Sequence, residues 1–145
     1  MEKHYPPLDK FLKAQETTYQ KAFNEIQAGK KTSHWIWFIF PQLSGLGSSE
    51  NSKYYSISNL EEARFYLEHP ILGSRLVSIS EILLKLPTSD AHKILGSPDD
   101  MKLKSCMTLF SMIPQSDPVF GKVLDKFFDG KKDEKTIQLL ETTAS

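Results

Sequence analysis

Apolar side chains recur every three or four residues along most of this chain, and that period selects amphipathic helices. Leu8, Phe11, Leu12, Tyr19, Ala22, Phe23 and Ile26 form one stripe, which predicts a helix over Leu8–Ala28. Gly29 is a natural stop, and Lys30 and Lys31 follow where they face the carbonyl end. One polar residue, Gln15, falls inside the stripe. Asn59 is placed to cap a helix through Leu67, and Pro70 to open another that runs to Leu86. Asp90–Leu95 reads as one or two turns closed by Gly96. Ser97-Pro98-Asp99-Asp100 offers a cap, a proline and two acids, predicting a helix from Pro98 to Ile113. Asp117-Pro118 starts the next in the same way, with Gly130 at its end, and a last helix spans about 133–140.

The segment from Trp35 to Phe40 is apolar throughout, so periodicity alone does not separate strand from helix there. No other stretch offers a convincing strand partner, and an unpaired buried strand would leave its amides and carbonyls unsatisfied. A short helix capped by Ser33 and ended by Pro41 is the better reading. The Gly- and Ser-rich stretch 42–50 is a loop, and a short helical piece holds Tyr54 and Tyr55. There is no internal repeat and no interdomain linker. The fold class expected is all-α: a compact, irregular helical bundle in one domain over residues 1–145.

Charge limits the partners. Eighteen basic side chains balance eighteen acidic ones, so no global field recruits nucleic acid or an anionic membrane. The longest apolar run is far shorter than the roughly 20 residues that cross a bilayer. The N-terminal stretch MEKHYPPLDK has no apolar signal region, and the single cysteine, Cys106, has no internal disulfide partner. A cytoplasmic location is expected.

The helix from Pro98 to Ile113 is apolar around most of its circumference and reads as central. Leu103, Cys106, Met107, Phe110 and Ile113 share a side, with Met101 and Met112 nearly opposite. Ser105 and Thr108 fall between; each hydroxyl either bonds a carbonyl one turn back or faces a pocket. Lys104 follows Asp100 by four residues, which suits a surface ion pair or, alternatively, an anion-binding lysine beside a pocket. His34 is a candidate general acid or base, since its ordinary pKa lies near 6.5, though such a residue also caps or packs. Trp35, Trp37, Phe38 and Phe40 are core candidates that also suit stacking of a planar ligand. Gly45-Leu46-Gly47-Ser48-Ser49 resembles half of a phosphate-binding glycine loop but lacks its third glycine and preceding strand. His4, His34, His69 and His92 are scattered, so no metal site and no cofactor is expected.

The segment His34–Gly47, HWIWFIFPQLSGLG, resembles a bacterial family known as domain of unknown function 1810, some members of which carry a calpastatin label. The resemblance extends to FLKAQETTY (residues 11–19), LEEARFYLEHPILGSRL (60–76), DDMKLKSCMTLF (99–110) and LDKFFDGKKDEKT (124–136). It implies a single, mainly helical domain of this length and supplies no activity. In the family pattern the position of Lys104 is usually Arg and that of Cys106 often Ser. Lys104 then keeps the charge without bidentate geometry, and a nucleophilic role for Cys106 is disfavoured.

Two functional expectations follow. The first is a pocket for an anionic, nucleotide-like small molecule, bordered by Gln15, His34, Trp37, Gln42 and Lys104. His34 would be the acid or base if the chemistry is hydrolytic or group transfer. The second is a non-catalytic protein-interaction module, which would hold its aromatic residues as a surface patch.

Overall fold

A computed structural model describes residues 8–143. Among them are nine helices: α1 (Asp9–Gln27), α2 (Ile36–Ile39), α3 (Glu50–Tyr54), α4 (Leu60–Glu68), α5 (Leu72–Lys85), α6 (Ala91–Leu95), α7 (Asp99–Ser111), α8 (Val119–Phe128) and α9 (Glu134–Thr143). The only pairing of extended backbone among the described residues is one parallel bridge, Leu43 with Ile57, which closes the loop that carries α3. The all-α expectation therefore holds.

The helix α7 is the axle of the bundle. It packs against α2, α4, α6, α8 and α9. Leu103 and the unbroken run Ser105–Phe110 are all buried on it. A helix enclosed on several sides needs little amphipathicity, which is why its sequence looked apolar nearly all round. Phe110 is wholly buried between Tyr66 and Phe120, with ring centroids 5.5 and 5.7 Å away. Met101 departs from the expectation: it stands 49% exposed.

Polar residues on α7 are satisfied locally and then reused. Ser105 Oγ donates to the Met101 carbonyl at 3.1 Å, and Thr108 Oγ1 to the Lys104 carbonyl at 2.8 Å. Thr108 Oγ1 also accepts the Asp133 amide at 2.8 Å, and Ser105 Oγ reaches Asp133 Oδ2 at 3.1 Å. Asp133 in turn accepts the Thr136 amide at 3.2 Å, capping α9. The two hydroxyls therefore fasten the last helix to the central one.

Several caps form as their local sequence dictates. The Asn59 side chain accepts the Glu62 amide at 2.8 Å, Asp90 accepts that of Lys93 at 3.2 Å, and Asp117 accepts that of Val119 at 2.8 Å. Others differ. Ser33 does not cap α2; its hydroxyl donates to Glu25 instead. Ser97 gives no cap to α7, which begins after Pro98, and the Ser97–Pro98 peptide is cis. Pro70 does not open α5. The His69 imidazole does, its Nδ1 accepting the amides of Ile71 and Leu72 at 3.1 and 3.2 Å. The α4–α5 corner is so tight that a Cβ at Gly73 would lie 1.8 Å from the Leu67 carbonyl oxygen, so only glycine fits. At the other end of α5, Lys126 Nζ reaches across from α8 to the carbonyls of Leu83, Leu84 and Leu86 at 2.9, 3.0 and 2.5 Å.

The α1–α2 connection is built around a buried carboxylate. Glu25 Oε1 accepts the amides of Thr32 and Ser33 at 2.7 and 3.0 Å and the Trp35 indole N–H at 2.9 Å. Its Oε2 accepts the Ser33 hydroxyl at 2.6 Å. Burial raises the Glu25 pKa, but the hydrogen bonds from Ser33, Thr32 and Trp35 together outweigh it and bring it down to about 2. Lys31 next door pairs with Asp99 at 2.8 Å, joining this connection to the start of α7.

Two stability predictions follow from this packing. Phe110→Ala should cost roughly 3–5 kcal/mol through lost burial and a cavity, read as a lower chemical-denaturation midpoint. A near-unchanged midpoint would refute the central placement of α7. Glu25→Gln keeps the shape and removes the charge, and should cost on the order of 1–3 kcal/mol at neutral pH. Because the folded pKa lies below the ordinary 4.5, the stabilisation is present above pH 4.5 and fades as pH falls toward about 2. The gap between wild type and Glu25→Gln should therefore shrink across that window. A gap constant with pH would show that the carboxylate charge contributes nothing.

Candidate functional site

The candidate residues divide between two sides of α7. Gln15, on α1, is almost wholly buried and spends its amide inside the protein. Its Nε2 donates to the Phe38 carbonyl at 2.7 Å and to the Tyr66 hydroxyl at 3.0 Å, while Arg75 approaches its Oε1 at 3.4 Å. This explains a glutamine within an apolar stripe: it ties α1 to α2, α4 and α5. Trp37, on α2, is half-buried, and the Lys102 ammonium stands over its ring, 5.3 Å from the centroid. Gln42 is half-buried, and its backbone carbonyl accepts the Ile57 amide at 2.8 Å in the bridge that closes the following loop. His34 is exposed on the α1–α2 connection.

Lys104 lies elsewhere. Two residues after Lys102, it emerges roughly 200° further round the helix. It turns toward α8 and α9, with its ammonium 6.0 Å from the Phe128 ring centroid. The expected ion pair with Asp100 does not form. Asp100 faces the His92 imidazole at 3.6 Å instead. The structure therefore brings Gln15 and Trp37 into neighbouring positions around α2 and sends Lys104 to the far side of α7. The lysine over the aromatic segment is Lys102. Sequence spacing placed both lysines on the same helix and held no signal for which one meets Trp37.

Lys104 borders a recess of about 610 Å³ formed with residues of the α8–α9 connection and the start of α9. Lys131, Lys132 and Lys135 border it too, together with Asp133 and Glu134. Asp133 is engaged by Ser105 and Thr136, as described above. Phe128, half-buried beneath Lys104, supplies a flat apolar surface nearby. A second recess of about 670 Å³ lies between α4–α5 and the α7–α8 connection, where Gln115 adopts a left-handed backbone with φ of 62°.

The aromatic segment is largely turned inward, while the Tyr54 ring, 57% exposed, meets Tyr55 at 4.8 Å, and Tyr55 meets Phe38 at 5.2 Å. Trp35 and Phe40 are wholly buried, and Trp37 and Phe38 pack half-buried against the core. Among the described residues the exposed large apolar side chains are Tyr54, Ile71 and Met101, on three separate parts of the chain. The glycine loop leads into a five-residue helix whose cap is already filled by Ser49, which accepts the Ser52 amide at 3.1 Å. Cys106 is buried in α7, where burial pushes its thiol pKa well up, so a thiolate nucleophile is disfavoured there. No group of three or more metal-ligating side chains occurs among the described residues, and His4 lies outside them. No described helix is long and apolar enough to cross a membrane.

Comparison with known proteins places the chain. A crystal structure of a conserved hypothetical protein from Mycobacterium tuberculosis superimposes with a TM-score of 0.91 at 42% sequence identity, covering 94% of this chain and 97% of that one. A search of curated proteins returned no match. The family model described as "Protein of unknown function (DUF1810)" matches residues 6–140. With nearly the whole chain matched, the protein belongs to the DUF1810 family.

Proposed function

We propose that this domain binds a phosphate-bearing, nucleotide-like small molecule in the recess bordered by Lys104. The observation that carries this reading is the gathering of Lys104, Lys131, Lys132 and Lys135 around one recess of about 610 Å³. Four lysines there stand against two acids, Asp133 and Glu134, in a chain whose charges balance only as a whole. The excess is local, and a local excess of positive charge attracts an anion without any global field. The Asp133 carboxylate is held toward α7 and the first turn of α9 by Ser105 and Thr136, and Lys132 Nζ lies 3.7 Å from Met112 Sδ, while Lys104, Lys131 and Lys135 enter no ion pair among the described residues.

The reading is one of binding. Hydrolysis or transfer with His34 as acid or base would require the ligand to extend to the α1–α2 connection, on the α2 side of α7. A reducing cytoplasm suits a domain whose one cysteine is a free, buried thiol.

Calorimetric titration with inorganic phosphate, pyrophosphate and adenosine monophosphate tests the reading. Binding should be saturable, should weaken as salt is raised, and should fall at least tenfold in Lys104→Ala, about 1.4 kcal/mol. The same variant should keep its denaturation midpoint to within about 0.5 kcal/mol, since a half-exposed lysine contributes little to folding. Absence of binding at millimolar concentrations, or equal affinity in Lys104→Ala, would overturn it.

A further inference from the structure

The two tryptophans, two residues apart, have opposite hydrogen-bond fates. The Trp35 indole N–H is committed to Glu25 at 2.9 Å. The Trp37 Nε1 atom is buried and has no acceptor among the described residues. An indole N–H only donates, so rotation or a change of protonation does not satisfy it. Buried donors in native proteins nearly always meet an acceptor, and one that does not marks a place where something else supplies it.

A second observation at the same ring points to the charge of that missing group. Lys102 Nζ stands 5.3 Å from the Trp37 centroid, and Lys102 takes part in none of the ion pairs formed among the described residues. The nearest acids in sequence face other groups: Asp99 pairs with Lys31 at 2.8 Å, and Asp100 accepts the Met101 amide at 2.9 Å, with the His92 imidazole 3.6 Å away. A water would satisfy the indole alone. A small oxyanion would satisfy both, with one oxygen accepting from the indole edge and its charge facing the ammonium.

We propose that Trp37 and Lys102 form a binding site for a carboxylate or phosphate group on the α2 side of α7. The site is separate from the Lys104 recess and does not depend on it, because the two lysines leave α7 in different directions.

The test is ¹⁵N-resolved NMR of the folded protein, titrated separately with sodium acetate and sodium phosphate at constant ionic strength. Two indole N–H resonances are present, and Trp37→Phe assigns them by removing one from an otherwise unchanged spectrum. The Trp37 resonance should shift saturably, and the anion that saturates it at the lower concentration, acetate or phosphate, separates a carboxylate ligand from a phosphate one. The Trp35 resonance, held by Glu25, should stay in place. Lys102→Ala should weaken the response at least tenfold, and Lys102→Arg should retain it. Lys104→Ala should leave it unchanged, so failure of the recess reading does not remove this one. A Trp37 resonance that ignores both anions, or that responds equally in Lys102→Ala, would overturn the proposal and leave a water as the indole's partner.

Discussion

A single buried carboxylate organises the front of this molecule. After α1 the chain must reverse, and a reversal taken into the protein leaves its amides without partners. Glu25 resolves this by reaching seven to ten residues ahead and collecting two amides, a hydroxyl and an indole N–H. The cost of burying its charge is offset by four donors rather than by an ion pair. With Trp35 held in the core by that bond, the turn Ile36–Ile39 can lie across α1 and against α7. Lys31 then secures the same connection to Asp99 and, through its amide, to the Ile94 carbonyl at 2.7 Å. The α1–α2 connection is thereby fixed against the start of α7.

Around α7 the protein has two chemically different sides. Toward α2 lie aromatic rings and one ammonium. Toward α8 and α9 lies a lysine-rich recess whose rim is fastened by Asp133 to Ser105 and Thr108. Because α7 is enclosed on several sides, the two regions are held at a fixed separation. Substitutions on one side reach the other only through a helix that has little freedom to move.

Helices and most of their caps were legible because they are written within a few residues. Asn59 and Glu62, or Asp117 and Val119, meet whatever the rest of the chain does. Partners that depend on packing were not legible. Ser33 has the right chemistry for a cap, yet a carboxylate eight residues back, on α1, outcompetes the local amide. Pro70 looks like a helix start, yet the preceding imidazole accepts the free amides. For the site, the residue types were foreseeable and their assembly was not. Lys102 and Lys104 differ by only two positions, and which one meets Trp37 depends on the rotation of α7, which its nearly uniform apolar surface does not encode. Gln15 was visible as an anomaly in its stripe, but the anomaly turned out to be three-helix cross-linking through Phe38, Tyr66 and Arg75.

The Lys126 clasp has a consequence for how this protein opens. The carbonyls that close α5 are short of amide donors, and the Lys126 ammonium of α8 donates to those of Leu83, Leu84 and Leu86, of which Leu83 also accepts the Leu86 amide at 3.3 Å. Burial pushes the Lys126 pKa down, so detaching it also returns a charge to water. If α8 lifts away, α5 loses its terminus and α7 loses a packing partner in the same event. Partial opening confined to α8 is thereby penalised, and α5, α7 and α8 are joined into one cooperative unit, one that gives up its amide protons to solvent together rather than helix by helix.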